Sequence, residues 1–236
     1  FYEAHELIVR AWTEEGPFAF EGKHYRVRYA NVWPRPLQQP HPPIWLPSQG
    51  STETIRFGVQ HRYPFVTVFT AYAHTKRLLE EYKAEAEREG YTAPAEQIGF
   101  ALPIYVAESD ARAREEAKPH VMWLFRRGLK IPPHFLLPPG YVTEESLRKF
   151  IAVGLRPPSD MSFEELEREG HVLLGSAATV RDRLKEYQKD LGFGLFIGGG
   201  RIGDMPHHKA SKSQELFARE VIPAFRTAGA TKGTKA

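Results

Sequence analysis

The sequence predicts an α/β protein built from repeated strand–helix units. Short apolar runs bounded by Pro and Gly, which are typical of buried parallel strands, alternate with longer segments whose apolar residues recur at helical spacing. This alternation occurs four times, and helices that connect consecutive strands place those strands in parallel. The strands could form an open sheet or a barrel. Because a complete eight-stranded barrel needs twice as many strands, we interpret the 236 residues as half of a barrel.

The segment before the first repeat has a different pattern. Residues 2–14 place apolar side chains on one stripe and charged side chains opposite, which predicts an amphipathic helix that ends at Gly16-Pro17. Residues 18–27 alternate around Glu21-Gly22 and predict a small hairpin. The five prolines of residues 33–43 predict an extended connector into the first strand.

The four repeats follow in order. Apolar runs predict strands at 44–46, 65–69, 98–106 and 194–198, and apolar periodicity predicts helices at 52–60, 73–89, 111–125, 177–191 and 207–225. Serines precede three of the helices, at Ser51, Ser109 and Ser176, where their side chains can cap the first turn. The charged residues of the 73–89 helix predict a solvated outer face.

Between the third and fourth repeats, residues 128–170 break the pattern. Pro pairs interrupt two short helical pieces, 143–151 and 162–169. A long insertion after a strand of an α/β fold is often a lid or a pocket wall, and a passive surface excursion is an equal alternative. The final residues, 227–236, are rich in Gly, Thr, Ala and Lys and predict a disordered tail.

The first predicted strand leads into a small polar turn made of Ser48, Gln49, Gly50 and Ser51. Small residues at the carboxyl end of a strand let backbone N–H groups approach a ligand, and the helix that follows favours an anion at its N-terminus. The turn is therefore a candidate phosphate site, and the alternative is an ordinary strand–helix turn with a Ser cap. A second glycine loop, residues 198–201, could contact a ligand or serve only as a tight turn.

Composition restricts the classes of function. The 32 basic and 29 acidic residues nearly balance, so no nucleic-acid surface is predicted. The absence of cysteine excludes disulfides, thiolate metal sites and cysteine nucleophiles, and is compatible with a cytoplasmic location. No apolar run is long enough to predict a membrane span. Ten histidines raise the question of a metal, but none has the spacing of a ligand set, and we predict no metal site.

Four segments resemble the bacterial luciferase-like flavin monooxygenase family in its C-terminal half. They are FYEAHELIVRAWTEEGPFAFEGKHYRV, PRPLQQPHPPIWLPSQGSTET, YVAESDARARE, and LLGSAATVRDRLKEY with GDMPHHKASKSQELFAREVIPAFR. They occur in the family's order and cover most of residues 1–226. The resemblance implies a (β/α)8 barrel of the TIM type, of which this chain contains the last four βα units. The opening Phe1, without a methionine, fits a cut inside a larger protein.

The resemblance also implies a function. The family uses reduced FMN, supplied by a flavin reductase, and oxygen to oxidise a small organic substrate, and some relatives use the deazaflavin F420 instead. Its phosphate site falls on Ser48, Gln49, Gly50 and Ser51, although Pro47 lacks an N–H donor. The usual catalytic histidine belongs to the absent strands, so no catalytic residue is named. The chain is expected to form a homo-oligomer or to pair with the missing barrel half. The alternative is a non-catalytic subunit that folds against a partner.

Overall fold

The structure, a computed structural model, describes residues 1–131, 143–144, 147–148 and 156–226. The chain divides into two compact units, Phe1–Ile44 and Trp45–Ala236. The predicted tail, residues 227–236, lies outside the described residues, as does most of the predicted 143–151 helix.

The first unit contains the predicted helix and hairpin. Helix α1 spans Tyr2–Thr13, and strands β1 (Phe18–Glu21) and β2 (Arg26–Ala30) pair antiparallel. The Glu3 carboxylate accepts hydrogen bonds from three successive N–H groups of the hairpin turn, at 2.8–3.1 Å. These bonds lower the pKa of Glu3 and fasten the turn to the helix. The pattern-based prediction of a helix and a hairpin is confirmed.

The second unit is built on a parallel sheet. Its strands are β3 (Leu46–Ser48), β4 (Phe65–Thr67), β5 (Ile98–Ala107), β6 (Leu173–Ser176) and β7 (Leu195–Gly199). They pair in the order β3-β4-β5-β6, and β7 also pairs with β5. All pairs are parallel, which confirms the four predicted strands. The first strand starts at Leu46, two residues later than predicted, and β6 is an additional strand.

The long strand β5 pairs with three other strands. Its residues 98–100 pair with β4, residues 99–103 pair with β7, and residues 104–107 pair with β6. Pro103, which cannot donate a ladder hydrogen bond, lies between the segments that pair with β4 and with β6. Along β5 the partner strand therefore changes from β4 to the short strand β6.

Six α-helices of this unit lie within the described ranges. They are α2 (Thr52–His61), α3 (Tyr72–Arg88), α4 (Asp110–Trp123), α5 (Phe163–Arg168), α6 (Ala177–Leu191) and α7 (His207–Leu216). The predicted 207–225 helix is not continuous. After Leu216 it widens into a π-helical turn, Phe217–Val221, and then tightens into a 3₁₀ turn, Ile222–Phe225. Pro223 lacks the N–H group that a regular helix would use there, so the hydrogen-bond pattern changes.

The core contains two buried clusters, and strand β5 contributes residues to both. Phe65, Phe100 and Ile98 of the strands pack against Leu79 and Tyr82 of α3, and all five are at most 1% exposed. A second buried cluster lies around α4 and α5. Burial of these apolar side chains provides the main stabilisation of the unit.

Asp110 links the starts of two helices. The N–H group of Ser176, which caps α6, donates to Asp110 Oδ1 at 2.6 Å, and the Thr179 hydroxyl donates to Asp110 Oδ2 at 3.0 Å. These hydrogen bonds lower the pKa of Asp110. Asp110 itself stands in the first turn of α4, where the helix dipole favours its negative charge. One carboxylate therefore holds the N-termini of α4 and α6 together.

Candidate functional site

The four residues predicted to form a phosphate site lie together between β3 and α2. Ser48 ends β3, and its carbonyl accepts the Val68 N–H at 3.4 Å, which anchors the turn to the neighbouring strand. Ser51 caps α2, since its hydroxyl accepts the Thr54 N–H at 3.2 Å. The strand–turn–helix geometry expected from the sequence is therefore present.

Gly50 gives the turn its shape. Its φ angle is +112°, a backbone conformation that side chains other than hydrogen strongly disfavour. A Cβ atom at this position would lie 2.4 Å from Leu78 Cδ2 of α3. The Gly50 N–H group donates to Ser48 Oγ at 3.0 Å. Both the backbone conformation and the contact with α3 therefore require glycine here.

The turn has donors without acceptors among the described residues. Ser48 is 9% exposed, and its hydroxyl accepts one hydrogen bond but donates none within the part of the chain that the structure describes. The N–H groups of Gln49 and Ser51 likewise donate to no described atom. Ser48 is the buried member of this set, since Gln49 is exposed and Ser51 is half-buried. A buried donor without an acceptor is costly, so the Ser48 hydroxyl suits an anion, and the N-terminus of α2 adds a partial positive charge.

Two residues of α3 are linked to the turn, His74 directly and Arg77 through His74. His74 Nε2 lies 3.1 Å from the Gln49 carbonyl oxygen, and Arg77 Nη2 lies 2.5 Å from His74 Nδ1. Arg77 can only donate, so Nδ1 is the acceptor and Nε2 carries the proton. Burial lowers the pKa of His74, and the Arg77 charge lowers it further against opposing effects of Gln49 and Glu81. His74 is therefore a neutral donor to the turn.

His74 and Arg77 were not predicted as site residues from the sequence. The available signal was their place in the first turns of the helix that follows the next strand. In a parallel sheet, neighbouring strands end at the same edge, so the starts of α2 and α3 are neighbours. A basic pair at i and i+3 there faces the preceding turn.

Phe69 follows Val68, whose N–H group donates to the Ser48 carbonyl of the turn. The sequence predicted strand structure up to Phe69, but β4 ends at Thr67, and Phe69 has a φ angle of +53°. Its side chain is 42% exposed. A non-glycine residue in the left-handed region is strained and occurs often at functional sites. No local signal in the sequence identifies this conformation for a phenylalanine.

The glycine loop after β7 behaves as a turn. Arg201 Nε donates to the Met205 carbonyl within the loop, at 3.2 Å. A Cβ atom on Gly200 would lie 2.8 Å from Gln214 Cγ of α7, so the loop packs closely against that helix. The loop therefore makes close contacts with its own residues and with α7. In the described ranges, no group of three or more metal-ligating side chains is present.

The inserted segment is described in part. Within it, Phe163 and Leu166 of α5 are buried, and the capping box of Ser162 and Glu165 starts that helix. Thr143 contacts the first turn of α2, since its hydroxyl and its N–H both donate to Glu53. Among the described residues, no helix is long and apolar enough to cross a bilayer.

A parallel sheet with helices between its strands, and a donor-rich turn at the carboxyl end of β3, defines part of a (β/α)8 barrel. A family model described as luciferase-like monooxygenase matches residues 1–193. The chain therefore belongs to the luciferase-like monooxygenase family, as its sequence motifs predicted.

Solved structures with the same fold include oxygenases and a reductase. RslO1, a monooxygenase from Streptomyces bottropensis, matches with a TM-score of 0.68 and 20% identity over 96% of this chain and 61% of its own. The oxygenating constituent of 3,6-diketocamphane monooxygenase from Pseudomonas putida, in complex with FMN, matches at 0.63 and 21%, over 94% and 62%. The coenzyme F420-dependent tetrahydromethanopterin reductase from Methanopyrus kandleri matches at 0.62 and 21%, over 95% and 62%.

A curated relative is similarly longer than this chain. The uncharacterised protein y4wF of Sinorhizobium fredii is 23% identical over 210 residues, which are 87% of this chain and 55% of the relative. The chain thus spans slightly more than half of that relative's length, and about three fifths of the structures above. At these identities the solved structures establish the fold.

Proposed function

We propose that this chain carries the flavin-phosphate site of a monooxygenase that uses reduced FMN and oxygen to oxidise a small organic substrate. The observation that carries the proposal is Ser48, a residue that is 9% exposed at the end of β3 and whose hydroxyl has no acceptor among the described residues. The amides of Gln49 and Ser51 extend this set of donors. A phosphate monoester supplies the acceptors that such a set requires.

The residues of the turn fit the phosphate of FMN. Ser48, Gln49 and Ser51 would hold it through hydroxyl and amide donors, and the start of α2 would stabilise its charge. Bound reduced FMN supplies the electrons that activate oxygen. The chain's own contribution is to position the cofactor and exclude water.

F420-dependent hydride transfer is the second candidate. It is supported by the similar fold of the F420-dependent reductase from Methanopyrus kandleri. The turn's donors recognise phosphate oxygens and carry no information about the ring system of the cofactor. Titration with FMN and with F420 separates the two candidates, because each predicts tighter binding of its own cofactor.

We further propose that residues 128–170 cover the site as a lid. The support is Thr143, whose hydrogen bonds reach Glu53 two residues beyond Ser51. A segment that binds the first turn of α2 lies where it can limit the access of water to the turn. Exclusion of water strengthens the electrostatic interactions of a bound phosphate.

The unpaired edges of the sheet suggest which partners the chain has. In the described residues, β3 pairs only with β4, and β7 only with β5, so each strand has an unpaired edge. Ile197 of β7 is 41% exposed. We propose that further parallel strands, from the remaining barrel half or from a second copy, cover these edges. A flavin reductase would deliver the FMN, and we propose a cytoplasmic location.

The introduction of a negative charge at Ser51 tests the site. We expect the protein to bind FMN more tightly than riboflavin, which lacks the phosphate, in a fluorescence titration. Ser51→Asp keeps a good helix cap but places a negative charge at the phosphate, so FMN affinity should fall by about tenfold or more while riboflavin affinity is kept. Ser109→Asp, at the cap of α4, is the matched control. Equal FMN affinity in the two variants would contradict the site.

A further inference from the structure

Three hydrogen bonds connect Arg77 to the Ser48 hydroxyl, and all of them point in one direction. Arg77 Nη2 donates to His74 Nδ1 at 2.5 Å, and His74 Nε2 donates to the Gln49 carbonyl at 3.1 Å. The N–H of the same Gln49–Gly50 peptide donates to Ser48 Oγ at 3.0 Å. Arg77 only donates, whereas His74 and the Gln49–Gly50 peptide each accept on one side and donate on the other. The series ends at the Ser48 hydroxyl proton, which donates to no described acceptor.

We propose that Arg77 and His74 are positioning residues that act through the Gln49–Gly50 peptide to direct the Ser48 hydroxyl proton toward the phosphate of the cofactor. This inference rests on the proposed function and extends it from the turn to α3. Neither residue needs to touch the cofactor.

The geometry of the peptide explains how His74 acts. The Gln49–Gly50 bond is trans, so its carbonyl and its N–H point in opposite directions. Because His74 holds the carbonyl on the α3 side, the N–H is directed to Ser48 Oγ. This bond occupies a lone pair of the hydroxyl and leaves its proton for a ligand. The hydrogen bond from His74 also holds the Gln49 carbonyl oxygen, which would repel a phosphate, on the side of α3.

The charge of Arg77 explains why the series matters for an anion. Hydrogen bonds in series polarise one another, so a cation at one end strengthens the donor at the other end. Arg77 is exposed and donates to His74 Nδ1, so its positive charge lies at the start of the series. The other charged group that acts on His74 is Glu81, also on α3, and the turn itself contributes no charged side chain.

If His74 and Arg77 only fastened α3 to the turn, their loss would have a different effect on flavin affinity. Loss of such a tie would weaken the binding of every flavin equally, because the whole turn would loosen. Loss of the proposed series weakens only the recognition of the phosphate. The ratio of the riboflavin and FMN dissociation constants separates the two, since riboflavin reports the rest of the site.

The experiment measures that ratio in the protein and four variants. His74→Leu removes both hydrogen bonds, and His74→Gln keeps an amide donor for Gln49 and an amide acceptor for Arg77. Arg77→Leu removes the cation and its hydrogen bond to His74 but leaves the His74–Gln49 hydrogen bond. Arg88→Leu, at the far end of α3, is the control. We expect the ratio to fall about tenfold in His74→Leu and about threefold in Arg77→Leu. It should be largely restored in His74→Gln and unchanged in Arg88→Leu.

Several outcomes would overturn the inference. An unchanged ratio in both His74→Leu and Arg77→Leu, or an equal loss of FMN and riboflavin affinity, would leave His74 as a structural tie. If His74→Leu does not fold, the exposed Arg77→Leu variant still decides. If the unmodified protein binds FMN no more tightly than riboflavin, the proposed phosphate site itself fails, and this result is distinct from a failure of the series alone.

Discussion

Replacement of Gly50 by alanine tests whether the turn depends on glycine for its shape. The φ angle of +112° lies in a region that only glycine populates readily. The added Cβ would lie 2.4 Å from Leu78 Cδ2 and 3.1 Å from Leu78 Cδ1. Leu78 is 3% exposed and packed in the core, so its side chain has little freedom to move away.

The expected cost has two parts. A non-glycine residue in a disfavoured backbone region costs about 1–3 kcal/mol, and forcing a methyl group into a packed core costs about 1–3 kcal/mol more. Gly90 provides the matched control, because its φ angle is +80° and no atom lies within 4 Å of the position that an added Cβ would take. Gly90→Ala therefore carries the backbone cost alone, about 1–2 kcal/mol.

Urea denaturation of the purified variants measures both costs as changes in the free energy of unfolding. We expect Gly50→Ala to lose about 1–3 kcal/mol more than Gly90→Ala, because the new methyl group overlaps with Leu78. Leu78→Val removes the two δ-carbons that the new methyl group would meet and keeps the γ-carbon, 3.3 Å away. Most of the excess should therefore disappear when Gly50→Ala is made in that background. A Gly50→Ala cost no larger than that of Gly90→Ala, or an excess that survives undiminished in Leu78→Val, would refute the reasoning.

Two further predictions concern pH. Asp110→Asn should destabilise the protein by about 1 kcal/mol at pH 7, a value reduced for exposure. The pKa of Asp110 is lowered from its ordinary value of 3.8 in the folded state, so its contribution is lost as the pH falls through the lowered pKa. In denaturation curves the difference between wild type and variant should therefore begin to shrink below pH 3.8 and disappear only once the pH is below the lowered pKa. A constant difference would contradict this. His171 is 4% exposed, its ring nitrogens have no partner among the described residues, and burial lowers its pKa. The folded state resists its protonation, so stability should fall below about pH 6.5. His171→Leu should raise stability at pH 7 by about 1 kcal/mol and flatten this pH dependence, and a loss of stability would show a satisfied histidine.

Features that depend on neighbouring residues in the chain were predictable. Helix α6 has the predicted bounds, and the serines at 51, 109 and 176 cap their helices as expected, because periodicity and capping act within a few residues. The strand–turn–helix order around Ser48 was predictable for the same reason. The family resemblance followed from motifs in the same segments, and the family match confirms it.

Features that depend on distant partners were decided only by the folded structure. Strand β6 exists because residues 104–107 of β5 offer it an edge, and four residues carry no local signal for such a pairing. The left-handed conformation of Phe69 and the alignment of Arg77, His74 and the Gln49 peptide arise where α3 meets the turn, across 25 residues of sequence. Local propensity determines which segments become helices and strands, whereas the direction of a hydrogen bond between them depends on how they pack.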